Sequence, residues 1–311
     1  MRRIMRLNKK PLIIITVSLF ILSVCIYYGI NRLETSSRTN ISNTVSATKI
    51  PEVINEQIKS TQKPSDKLTV PDIINIEEKN YESTPVINVK NIKIPILMYH
   101  SISYEKGNSL RVSKENFRLQ MKYLKDNNYT PITVDELYNY MQTGKIAPKK
   151  PIVITFDDGY KDNYTNAYPI LKEFKFKATI FVITNTIDKD INYLTSNEIK
   201  SMDSNNIRIE SHTVAHEHLD EISYKDDLIT MKASKEKLEK ILNRKIYYIA
   251  YPYGGYNDNV IKAAKESSYK LAFSTEFGLI DKNDNIYSLG RIFVNSNFTF
   301  DEFKSKLNPK K

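Results

Sequence analysis

The sequence predicts an α/β fold, a distorted seven-stranded (β/α) barrel, preceded by a transmembrane helix and a disordered stalk. Three observations carry that reading. From residue 92 onward, short apolar runs alternate with longer amphipathic segments, the pattern of parallel strands joined by crossover helices. Residues 31–91 show no sustained hydrophobic period. Residues 11–30 are uncharged and dominated by Leu, Ile, Val and Phe.

Taken in order, residues 1–10 carry Arg2, Arg3, Arg6, Lys9 and Lys10 and read as a cytoplasmic basic tail. A helix over residues 11–30 would span about 30 Å, the bilayer core, and the preceding positive charge places everything after it outside. A cleaved signal peptide is the alternative, because its basic n-region would look the same. Leu-Ser-Val-Cys at 22–25 resembles a lipoprotein box only faintly, since Val24 is larger than such boxes prefer before the cysteine. Residues 31–91, rich in Asn, Ser, Thr, Lys and Glu with Pro51, Pro64, Pro71 and Pro85 scattered through them, read as an extended stalk.

The catalytic domain is expected over residues 92–311. Strands are expected at 94–99, 152–156, 178–183, 207–211, 247–251, 271–275 and 291–294. Ser113 opens a helix with Phe117, Met121 and Leu124 on one face, and Thr133 with Glu136 forms a capping-box pattern for a second, stopped at Gly144. Further helices are expected near 164–174, after Thr195, over 224–242 and over 259–267. The net charge is +10, but the first ten residues hold +5 and residues 31–91 balance, leaving +5 for the domain. Without a basic-aromatic cluster that charge does not point to nucleic acid. The single cysteine, Cys25, excludes an intramolecular disulfide and a cysteine-ligated metal. A monomer is expected.

Barrels of this kind carry their chemistry at the C-terminal ends of the strands. Three such ends stand out: His100, Asp157-Asp158-Gly159 and Ser211-His212. The chain has four histidines, at 100, 212, 216 and 218, and three of them fall just after one strand. His212 and His216, four apart, would share a face on one helical turn. With one carboxylate they form a two-histidine, one-carboxylate set that leaves coordination positions open for catalysis. Zinc is the default, and cobalt, nickel or iron also fit. Successive residues after a strand point in different directions, so Asp158 is assigned to the metal and Asp157 to activating a water. His218 is read as facing solvent or lying behind the ligands.

Thr155-Phe156-Asp157-Asp158-Gly159 followed by Ser211-His212-Thr213-Val214-Ala215-His216 resembles the first two motifs of the polysaccharide deacetylases, the NodB-homology domain. The resemblance covers roughly residues 92–295. It implies a metal-dependent hydrolase that removes acetyl groups from N-acetylated sugars, with Asp157 as general base and Asp158, His212 and His216 as metal ligands. In Ala250-Tyr251-Pro252-Tyr253-Gly254 the family's third motif is recognisable, and it implies that the Tyr253 backbone N–H is an oxyanion donor. The departures are specific. Ala250 stands where the family has the arginine that holds the base, no tryptophan exists for the family's tryptophan motif, and no histidine follows His218. His100, in Pro95-Ile96-Leu97-Met98-Tyr99-His100-Ser101, precedes the Asp-Asp motif, an order that resembles the poly-β-1,6-N-acetylglucosamine N-deacetylase branch and makes His100 the general acid. Arg291 is read as a surface or packing residue in preference to a replacement for the missing arginine. The expected partner is an N-acetylated polysaccharide. An O-acetyl esterase, a silent carbohydrate-binding protein and, less well, a metal-dependent phosphodiesterase are the competing readings.

Overall fold

The computed structural model describes residues 92–146 and 148–308. The predicted basic tail, membrane span and stalk lie outside the described residues. Among the described residues, no helix is long and apolar enough to cross a membrane.

Nine strands form one sheet: β1 (Ile94–Tyr99), β2 (Thr130–Pro131), β3 (Pro151–Phe156), β4 (Ala178–Val182), β5 (Ile207–Ser211), β6 (Tyr248–Ala250), β7 (Leu271–Phe273), β8 (Leu279–Ile280) and β9 (Ile292–Phe293). Strands β7, β6, β5, β4, β3 and β1 follow one another in parallel. All seven strands expected from the sequence are present. The two it does not predict, β2 and β8, are two-residue edges too short to leave a periodic signal, and β8 runs antiparallel to β1. Leu289 bridges in parallel to Phe273, and Ile292–Phe293 pairs with Leu97 and Met98. The strip 289–293 thus links the β7 side of the sheet to β1, and the curled sheet fits a (β/α) barrel.

Successive residues of a strand face opposite sides, and the core divides accordingly. Leu97, Ile154, Ile180, Ile209 and Ile249 pack on helical residues such as Phe117, Leu171, Met202 and Val260. Ile96, Val153, Phe181, Tyr248 and Phe273 turn the other way and meet Leu137 and Tyr140. Those two belong to the helix Val134–Thr143, whose capping box forms as the sequence predicts. A second capping box, Thr195 with Glu198, opens the helix Ser196–Asp203. Two helices depart from expectation: 164–174 begins as a π-helical turn, Asn163–Ala167, before the α-helix Tyr168–Phe174, and a helix at Phe300–Leu307, capped by Thr299 with Glu302, was not expected.

Register alone sets the strand ends side by side. Tyr99 pairs with Phe156, so His100 and Asp157 leave the sheet together, and Val182 pairs with Ser211, one residue before His212. The turn after β3 takes two left-handed residues in succession, Asp158 (φ 72°) and Gly159 (φ 78°). A Cβ at Gly159 would lie 3.0 Å from Val182 Cγ1. Gly159→Ala therefore meets both an unfavourable φ and a packed neighbour, and is expected to destabilise the fold by about 2 kcal/mol. Chemical denaturation checks this; an unshifted midpoint would mean the turn relaxes at no cost.

Candidate active site

Asp157 continues β3 by one residue, its N–H donating to Tyr99 O at 2.9 Å. Its carboxylate is buried and faces Arg291, which is wholly buried. Arg291 Nη1 donates to Oδ1 and Nη2 to Oδ2, both at 2.7 Å. Its Nε donates to Ser274 O at 2.9 Å, and Nη1 also reaches Thr155 Oγ1 at 3.2 Å. Burial by itself would raise the Asp157 pKa, but the guanidinium charge, with His212 behind it, holds the carboxyl below its usual range. Arg291 is thus not the surface or packing residue the sequence suggested. It holds the Asp157 carboxylate that Ala250 cannot hold, from a position 134 residues along the chain.

Asp158 points elsewhere because its backbone is left-handed, a region Asp tolerates better than most residues. Its Oδ1 lies 3.4 Å from His212 Nε2 and 3.3 Å from His216 Nε2. Despite burial, which would raise it, the two imidazoles pull the Asp158 pKa far below the usual range. His212 Nδ1 lies 2.8 Å from Ala250 O; a carbonyl only accepts, so Nδ1 carries the proton and Nε2 is left to face Asp158. The two histidines do not share a helical turn as their spacing suggested. They sit on a tight loop after β5 in which Thr213 (φ 65°) and His216 (φ 61°) are both left-handed. Thr213 Oγ1 accepts from the His216 N–H at 3.1 Å, and Thr213 O accepts from the Thr184 N–H at 3.1 Å, which pins the loop to the end of β4.

One ligand atom from each of Asp158, His212 and His216 lies within 4.8 Å of the others. These residues fit a divalent cation. Two ligands each about 2.1 Å from one ion stand roughly 3.0–3.5 Å apart, the separation found for both Asp158–His pairs. Asp158 Oδ1 is moreover buried with no hydrogen-bond partner, an acceptor waiting for a positive group.

His100 closes β1, its ring edge-on to Phe293 at 5.8 Å between centroids. Burial lowers its pKa against the pull of Asp157 and Asp158. The backbone around it is tied to the π-helical turn: Asn163 Nδ2 donates to His100 O at 2.8 Å, and Asp162 accepts from Ser101 Oγ at 2.6 Å and Ile102 N–H at 2.8 Å. Sequence reasoning missed these two side chains; the signal was a pair of polar residues placed soon after the Asp-Asp motif. Tyr253 (φ 58°) is also left-handed, followed by Gly254, where a Cβ would collide with Thr275. His218, as expected, is exposed. A cavity of about 400 Å³ is lined by His100, Asp157, Asp158, His212, His216 and Tyr253, with Met98, Leu110, Thr275 and Phe293 completing its wall. All six residues singled out from the sequence therefore meet in one place.

Known proteins resemble this chain in sequence and fold. The polysaccharide deacetylase family profile matches residues 144–272. YxkH of Bacillus subtilis (strain 168), named as a polysaccharide deacetylase, is 38% identical over 237 residues, covering 76% of this chain and 82% of that protein. The chain belongs to the polysaccharide deacetylase family. A poly-beta-1,6-N-acetyl-D-glucosamine N-deacetylase of Staphylococcus aureus is 32% identical over 213 residues, covering 63% of this chain and 72% of that one. Among solved structures, the Streptococcus pyogenes deacetylase PplD in complex with acetate superposes with a TM-score of 0.68 at 33% identity, covering 71% of this chain and all of that one. The family match takes in Asp157, Asp158, His212, His216 and Tyr253, while His100 and Arg291 lie on either side of it.

Arg291→Leu leaves a buried carboxylate unpaired and is expected to cost about 3–5 kcal/mol, whereas replacing both Arg291 and Asp157 by Leu recovers most of that loss. Denaturation midpoints of the two variants decide; equal losses would contradict the pairing.

Proposed function

We propose that this deacetylase is a metal-dependent hydrolase that removes N-acetyl groups from N-acetylglucosamine units of an extracellular polysaccharide, releasing acetate. The observation that carries the reading is the convergence of Asp158, His212 and His216 on one point beside an Arg291-held Asp157. Asp158, His212 and His216 would hold the cation, and their one-carboxylate, two-imidazole set suits zinc, with cobalt, nickel or iron as alternatives. When bound there, the cation supplies Lewis acidity, polarising the acetyl carbonyl and lowering the pKa of water.

The chain's own groups account for the proton movements. Asp157, kept ionised and aimed by Arg291, takes a proton from the water whose oxygen attacks the acetyl carbon. The Tyr253 N–H donates to the oxygen that gains charge in that attack. His100 gives a proton to the amide nitrogen as the C–N bond breaks, leaving acetate and a free glucosamine amine. Met98, Leu110 and Phe293 give the cavity an apolar wall suited to the acetyl methyl group. Similarity to the Staphylococcus aureus poly-beta-1,6-N-acetyl-D-glucosamine N-deacetylase supports a poly-N-acetylglucosamine substrate, with peptidoglycan glycan as the second candidate. Residues 11–30 would tether the enzyme to the membrane with its catalytic domain outside. There, newly exposed amines would strengthen retention of the polymer on an anionic surface.

Acetate release from β-1,6- and β-1,4-linked N-acetylglucosamine oligomers, measured together with bound metal, tests the assignment. Chelation is expected to abolish release and added zinc to restore it. Asp157→Asn is expected to keep the metal while losing about 10²–10⁴-fold in rate, and His212→Ala to lose both. Full activity in Asp157→Asn would falsify the role of the base.

A further inference from the structure

The mechanism uses the backbone of Tyr253 and leaves its ring without a task. That ring lies parallel to the His218 imidazole, with centroids 3.7 Å apart and planes within 1°. The metal-site residue His216 meets the same ring at 4.4 Å and 67°. Tyr253 is 57% exposed, and His218 is also exposed. Burial in a core therefore does not explain the stack.

Both rings stand on fixed backbone. Tyr253 is held left-handed at φ 58°, Gly254 behind it is closed against Thr275, and Thr275 Oγ1 donates to Tyr253 O at 3.2 Å. His218 opens a short helical turn, its carbonyl accepting from the Glu221 N–H at 3.1 Å, with Leu219 buried beneath. The result is an aromatic stack that runs from His216 through Tyr253, which lines the cavity, to the exposed His218 ring. A pyranose ring presents a face of C–H bonds that packs on flat aromatic rings, and pre-positioned aromatic side chains offer such contact at little entropic cost.

We propose that the Tyr253–His218 stack is a sugar-binding shelf that receives the pyranose ring next to the N-acetylglucosamine being hydrolysed, so that the site favours polymer over isolated sugar. The proposal rests on the deacetylase reading of the neighbouring cavity. It assigns His218 to binding and leaves the bond-breaking steps untouched.

His218→Ala in the full-length, metal-loaded protein tests it. KM for N-acetylglucosamine pentamers is expected to rise about fivefold to tenfold, the size of one lost aromatic contact, with kcat nearly constant. Hydrolysis of p-nitrophenyl acetate, which has no sugar ring, is expected to match that of the unaltered protein. His218→Phe, which keeps a flat ring, is expected to restore the pentamer KM. An unchanged pentamer KM in His218→Ala, an equal loss on both substrates, or no rescue by phenylalanine overturns the shelf and leaves the deacetylase assignment standing. No acetate release from any oligomer by the unaltered protein removes that assignment, and the shelf with it.

Discussion

Two hydrogen bonds of 2.7 Å join Arg291 to Asp157 in a place closed to water, and much of the site depends on them. Removing both charges from solvent is costly, and only good geometry with fully used donors offsets that cost. Arg291 uses four of its five N–H donors: beside the two on Asp157, two reach Ser274 O and Thr155 Oγ1, and its guanidinium lies near the Phe181 and Phe273 rings. The pair has a mechanical consequence as well. It fastens the strip that links the β7 side of the sheet to β1 onto the end of β3, so the closing segment of the fold and the orientation of Asp157 are one interaction.

Given that anchor, the adjacent carboxylates can diverge. Asp157 is spent on the guanidinium, and the left-handed backbone of Asp158 turns its oxygen towards two imidazoles. Neighbouring charges that would otherwise repel are separated by giving each its own positive partner. Backbone strain follows the same map. Asp158, Thr213, His216 and Tyr253 all border or support the cavity with positive φ, and a β-branched or aromatic residue adopts that conformation only where its surroundings impose it. The other described non-glycine residues with positive φ are Asn128, Asp188, Asn206 and Asn243, of the types that accept it cheaply, together with Lys175 and Ser268.

His100 shows how the site is assembled from both directions. Its place at the strand end comes from the pairing of β1 with β3, whereas its carbonyl is held by Asn163 and the two residues after it by Asp162, both a few residues beyond the Asp-Asp motif. One segment thus supplies Asp157, Asp158 and the hydrogen bonds that hold the backbone beside His100. π-helical turns are rare and gather at functional sites, and the one at Asn163–Ala167 begins with Asn163 itself.

The seven longer strands, most of the helices with their caps, and the residues Asp157, Asp158, His212 and His216 were legible in the sequence because each is a local pattern: a buried apolar run, a Thr-x-x-Glu cap, two carboxylates after a strand, two histidines four apart. His100 was legible because it ends such a run. Local patterns do not say what crosses the barrel. Arg291 looked like any arginine near a short strand, and only the return of the chain to β1 brings its guanidinium to Asp157. The histidine spacing suggested a helical turn, yet hydrogen bonds from Thr184 and within the loop impose two left-handed residues instead. Spacing along a chain records which residues can meet; which of them do, and facing which way, was decided by sheet register and by the burial of one ion pair.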